Sequence, residues 1–173
     1  DLGLAIVDPT RTLNSLRFKL SELKSGGGKQ VVQDTGSGGS YPVSTDRVVW
    51  AIGAWKTLMF LDGEEREQFV DEAYEAIVNT IEQDRRVVWD ERDGLYYGEQ
   101  SFLDWREQTY PSWTAQDTVH LGMSKALSTN VGHFAIITVA HRLAELKEEP
   151  LEQMKYQMWA DELAQAIDRE LWI

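Results

Sequence analysis

One unit restricts the fold of this chain more than anything else in it, and it occurs twice: an irregular approach, a strongly apolar helical segment, a short turn, and an amphipathic helical segment. In the first copy, "STDRVVWAIGAWKTLMFL" sets Val48, Ile52, Trp55 and Met59 at helical spacing behind a capping Ser44 or Thr45. "DGEE" ends that helix, and Glu64 to Asp84 continues as a second one with Phe69, Ala73, Ile77 and Ile81 along one side. In the second copy, "STNVGHFAIITVAHRLAEL" is apolar on nearly every side from Val131 to Ala144, with Ser128 or Thr129 as cap, and so predicts a helix buried on most faces. Pro150 then opens a further helix whose apolar set is Leu151, Met154, Met158, Ala164, Ile167 and Leu171. Each copy reads as an αα-hairpin, and hairpins packed side by side bury one helix of each pair and expose the other. The expected fold class is all-α, with short extended segments in the connecting loops. Two or three hairpins do not close a ring, so the 173 residues are expected to form a single domain, 1–173, that is a fragment of a larger α-toroid.

The connecting stretches differ in character. Asp8 to Lys24 carries Leu13, Leu16, Leu20 and Leu23 near helical spacing, with Pro9 close to the start, and predicts a further amphipathic helix. "KSGGGKQ" and "DTGSGGSYP" make Ser25 to Pro42 a loop with at most a short strand at Gln30 to Gln33; its glycines suit either a flexible linker or close approach of backbone to a ligand. In "WDERDGLYYGEQ", Asp93-Gly94 signals a hairpin between short extended stretches. "SFLDWREQTYPSW" (101–113) follows, mixing charges with large aromatics and showing neither helical nor strand periodicity.

Composition excludes several functions. A net charge of -12 without any Lys/Arg cluster lacks the footprint of a nucleic-acid binder and disfavours anionic membranes. No apolar run approaches the roughly 20 residues that span a bilayer. The absence of cysteine removes disulfides, thiolate zinc sites and a cysteine nucleophile. His120, His133 and His141 are too scattered for a metal motif, so neither metal nor other cofactor is expected. Among the seven tryptophans, Trp55, Trp89 and Trp159 read as core, whereas Trp50, Trp105 and Trp113 stand beside charged or turn residues and suit a ligand-facing role.

Three stretches, "GSGGSYPVSTDRVVWAIGAW", "GLYYGEQSFLDWREQTYPSW" and "LSTNVGHF", occur in that order and are separated by helices. Together they resemble the six-hairpin (α/α)6-toroid glycoside hydrolases, particularly bacterial enzymes related to the α-L-rhamnosidase, trehalase and glucosidase clans. The resemblance covers roughly Gly36 to Trp172. It implies a sugar site at one end of the barrel, in the loops leading into inner helices, with the remainder of the toroid as structural partner and a carbohydrate as substrate. It also implies a periplasmic or extracellular location and a second catalytic carboxylate beyond Ile173.

Glycosidic cleavage needs one carboxylic acid to protonate the leaving oxygen and one carboxylate to activate water or attack carbon. The resemblance makes Asp46 the first candidate, at the head of an inner helix where the rhamnosidase pattern has Glu. On the residues alone, Asp46 reads as a helix-start carboxylate complementing the macrodipole, and the resemblance sets the catalytic role level with it. Asp104 is the second, in a loop resembling the acid-bearing loops of trehalase-like relatives; it serves as proton donor or accepts hydrogen bonds from two adjacent sugar hydroxyls. Glu107 is the third. For binding, Trp105 and Trp113 offer flat faces to a pyranose, and Arg106 holds a neighbouring carboxylate charged. Tyr41, Arg47, Trp50 and Tyr110 join them on the same loops. Asn130 and His133 either contact sugar or serve as a helix cap and a core histidine. Asp46, Asp104, Trp105 and Asn130 are expected to line one cavity. The alternatives are a carbohydrate-binding helical module without a working acid pair, and a structural helical-repeat domain that binds another protein.

Overall fold

The computed structural model describes residues 2–22, 27–32, 41–99 and 117–172, and these are mostly helical. Asp8 divides the N-terminal helical segment into α1 (Leu2–Val7) and α2 (Pro9–Phe18). Its carboxylate accepts from the Arg11 N–H at 2.9 Å and Pro9 fills the first turn, where its missing N–H costs nothing. The helix expected to reach Lys24 stops at Phe18, because Leu20 pairs with Val31 in a small antiparallel ribbon, β1 (Leu20–Glu22) with β2 (Lys29–Val31).

The first hairpin begins with a 3-10 turn, Asp46–Val49, running into α3 (Trp50–Thr57). Ser44 and Thr45 are both buried, and Thr45 occupies the cap position without a side-chain cap bond. The most buried face of this segment is Val48, Ala51, Ala54 and Leu58; of the expected set Val48 is buried and Trp55 packs partly buried against the core, whereas Met59 is exposed. Small residues win here because α3 packs between α2 and α6. A five-residue connection leads to α4 (Gly63–Val87), which buries Phe69, Ala73, Ile77 and Ile81 as its period requires.

After α4, β3 (Trp89–Asp90) and β4 (Leu95–Tyr96) form the expected hairpin, with Gly94 at φ +77°. A short α5 (Thr118–Gly122), not foreseen from the sequence, precedes α6 (Leu127–Leu146). The residue before α6 is Ala126, so Ser128 and Thr129 lie inside its first turn and do not cap it. As its all-round apolarity predicts, α6 is central and packs against α7 (Pro150–Glu170), α4, α3 and the 3-10 turn. Gly132 allows the closest of these approaches: a Cβ there would lie 3.0 Å from Val48 Cγ2.

Pro150 opens α7 as expected, and Ile167 and Leu171 pack against the core as expected, but the first half of the helix turns a different face inward. Tyr156, Ala160, Leu163 and Ala166 are buried, while Leu151, Met154 and Met158 are 80%, 63% and 66% exposed. Tyr156 carries the largest side chain of that inward stripe, and its ring meets Trp159 edge-on.

Candidate functional site

The backbone joins three loops at the end of the molecule where α3 and α6 begin. The Glu99 N–H donates to the Val43 carbonyl at 2.9 Å, and the Gly98 N–H donates to Ser124 O at 2.8 Å. Gly98 also bridges Lys125 in parallel, and the Thr129 hydroxyl donates to Glu99 O at 2.6 Å. On the return side Asp117 caps α5, and α5 ends at Gly122, where an added Cβ would touch Val43. Glu99 and the α5 that Asp117 caps, the described neighbours of 100–116, therefore lie beside the approaches to α3 and α6. Asp104, Trp105, Arg106, Glu107, Tyr110 and Trp113 lie outside the described residues.

Beneath this end lies a buried polar cluster. Asp84, fully buried on α4, accepts from Arg47 Nη2 at 2.5 Å. Arg47 Nη2 also donates to Gln83 Oε1 at 3.1 Å and Nη1 to Val31 O at 3.4 Å, so both terminal nitrogens are engaged by the protein. The Tyr41 ring covers the guanidinium, with its centroid 4.5 Å from Cζ. Burial, reinforced by the Asp84 charge and opposed by Arg47, pushes the Tyr41 phenol up to about 12.

From α6, His133 Nδ1 bonds the Thr129 carbonyl at 2.9 Å. A carbonyl only accepts, so Nδ1 carries that proton and Nε2 faces Asp84 Oδ2 at 3.4 Å. Tyr96 stacks on the imidazole at 3.9 Å between centroids. Asn130 clamps the same strand, accepting from Tyr96 N–H at 2.7 Å and donating to Tyr96 O at 3.1 Å and Ala126 O at 3.0 Å.

These contacts correct several of the expected roles. Asn130 is fully buried with its amide used on backbone, so it lines no cavity and fastens β4 to α6. His133 is a core histidine and Arg47 half of an interior ion pair. Trp50 is 8% exposed, its indole N–H donates to Leu16 O at 3.1 Å, and it meets Phe69 edge-on, so it presents no face to a sugar. Asp46, by contrast, keeps partial exposure at the first position of the 3-10 turn, and Tyr41 is likewise half-buried, its ring over Arg47.

Two sets of residues were missed. Asp84 has a legible signal: it continues the buried stripe of Ile77 and Ile81 on α4, where a charge requires a partner. The other set is on the β3–β4 hairpin, where Asp90 accepts from Arg92 Nε at 2.9 Å and Nη2 at 2.8 Å, from Lys125 Nζ at 2.6 Å, and from the Tyr97 hydroxyl. Those donors, Arg92 first, hold the Asp90 carboxyl far below the usual carboxylate range. Lys125 also pairs with Asp93. Sequence order hides this set, since Lys125 comes from the far side of the 100–116 segment.

Next to these loops is a cavity of about 310 Å³, walled by Val43, Val88, Tyr97, Val119 and Met123. Asp46 and Asn130 are not among its lining residues. Among the described residues no group of three or more His, Asp or Glu is placed to hold a metal ion, and no helix is long and apolar enough to cross a membrane. No protein-family model, curated protein or solved structure matches the chain.

Proposed function

We propose that this chain forms part of the catalytic site of a glycoside hydrolase, with sugar bound where the 3-10 turn and α6 begin and Asp46 as one of the two carboxylates. The observation that carries this reading is the place of the described neighbours of 100–116. Glu99 is bonded to Val43, Gly98 to Ser124, and α5 abuts Val43, so the described residues flanking 100–116, the stretch that holds Asp104 and Glu107 in the sequence, belong to the loops that lead to Asp46 and α6. Carboxylates from two such loops are what glycosidic cleavage needs, one donating a proton to the leaving oxygen and the other activating water or attacking the anomeric carbon.

The buried cluster supports this reading by fixing the frame. Arg47 is adjacent to Asp46 and is drawn inward to Asp84, while His133 brings α6 to the same carboxylate. The head of α3 is thus tied to α4 through Arg47 and Asp84, with His133 of α6 packed against the same carboxylate. Positioning of this kind matters because misplacement by about 1 Å costs on the order of a hundredfold in rate.

The test is turnover of aryl glycosides and oligosaccharides by the full-length protein, with the anomeric outcome read by NMR. The reading expects product release that Asp46→Asn and Asp104→Asn each reduce. Saturable sugar binding without product would support the carbohydrate-binding module instead.

A further inference from the structure

The cavity beside the joined loops is built for something other than a sugar. Among the described residues its wall is Val43, Val88, Tyr97, Val119 and Met123, with Val87 at the rim, and none of those lining residues is charged. Several backbone groups along that wall are already engaged. Val43 O accepts from Glu99 N–H, Val88 O from Tyr97 N–H at 2.7 Å, and Val119 O from Met123 N–H at 2.9 Å, while Val88 N–H donates to Asp84 O at 2.8 Å. The Tyr97 hydroxyl is held by Asp90 and by Arg92 Nη2. A hydroxyl-rich ring placed here would give up bonds to water and regain few, whereas C–H surface would lose nothing.

Size and access agree. A cavity of about 150 Å³ lined by aliphatic side chains takes up benzene; this one, at about 310 Å³, has room for a substituted ring. Its mouth is apolar as well: Val87, Val119 and Met123 are all more than half exposed, which is unusual for such side chains clustered around one opening.

We propose that this cavity is a binding site for a neutral apolar group of single-ring size, aromatic or branched alkyl. On the glycoside hydrolase reading, on which this second step rests, that group is the aglycone, held three residues from Asp46 in the same loop as Val43. The substrate class is then a glycoside of an apolar alcohol or phenol and not an oligosaccharide.

Methyl NMR of the protein titrated with phenol, and separately with D-glucose, tests the site. Saturable shifts at the Val43, Val88, Val119 and Met123 methyls are expected with phenol and none with D-glucose. Val119→Asp combined with Met123→Asp, both at exposed positions, should weaken phenol binding at least tenfold while leaving the thermal midpoint in place. Absence of saturable shifts at these methyls, equal shifts with D-glucose, or undiminished binding by the double variant would overturn the site. Turnover separates the two readings. Phenyl glycosides cleaved in preference to methyl glycosides support both, while phenol binding with every glycoside left intact keeps the cavity and removes the hydrolase.

Discussion

Arg47 and Asp84, 37 residues apart in sequence, form an ion pair 2.5 Å long with side chains 4% and 0% exposed. Removing one partner of such a pair strands a buried charge, which costs about 3–5 kcal/mol, whereas replacing both by apolar residues is often neutral. Asp84→Asn should therefore lower stability by about that amount in urea denaturation. Arg47→Met with Asp84→Leu should recover most of it. A double variant as unstable as the single one would mean that the pair contributes shape and not charge.

Asn130 makes a prediction of a different kind. Its side chain satisfies both backbone groups of Tyr96, and a buried group left unsatisfied costs about 1–3 kcal/mol. Asn130→Ala should lower the thermal midpoint and speed hydrogen exchange at the Tyr96 amide. Unchanged exchange there would show that the clamp does not hold the strand.

Asp90 contributes to the acid limb of stability. A carboxyl held below its ordinary value binds fewer protons in the folded chain than in the unfolded one. Its contribution is then complete above the unfolded value of about 4 and is lost as pH falls toward the folded value. Wild type should lose urea resistance below about pH 4, and Asp90→Asn should flatten that limb. A steeper acid limb in the variant would reverse the assignment.

The helices were legible because their period is local. Phe69, Ala73, Ile77 and Ile81 needed only their own spacing, and Asp93-Gly94 needed only turn chemistry. The expected stripes hold at Val48 and Trp55 on the 3-10 turn and α3 and at Ile167 and Leu171 at the end of α7, and fail at the exposed Met59, Leu151, Met154 and Met158, because both helices offer two apolar stripes. Neighbours choose between them: α2 and α6 favour the alanines of α3, and α6 takes the Tyr156 face of α7. At the site, Asp46 and Tyr41 keep partial exposure, but Arg47, Trp50, Asn130 and His133 turn inward to partners that no motif displays: Asp84, Leu16 O and the Tyr96 backbone. Polar residue types at a loop-to-helix junction suit a ligand and a structural network equally well, and only the tertiary partner separates the two.

The central claim is that Asp46 works in glycosidic cleavage at the joined loops. Release of the phenol from a panel of aryl glycosides by the full-length protein, wild type against Asp46→Asn, measures it most directly. General acid–base catalysis contributes about 10²–10⁴-fold, so the variant should be slower by at least about a hundredfold with its thermal midpoint kept. Equal rates in the two proteins, or no release from any glycoside by wild type, would contradict the account.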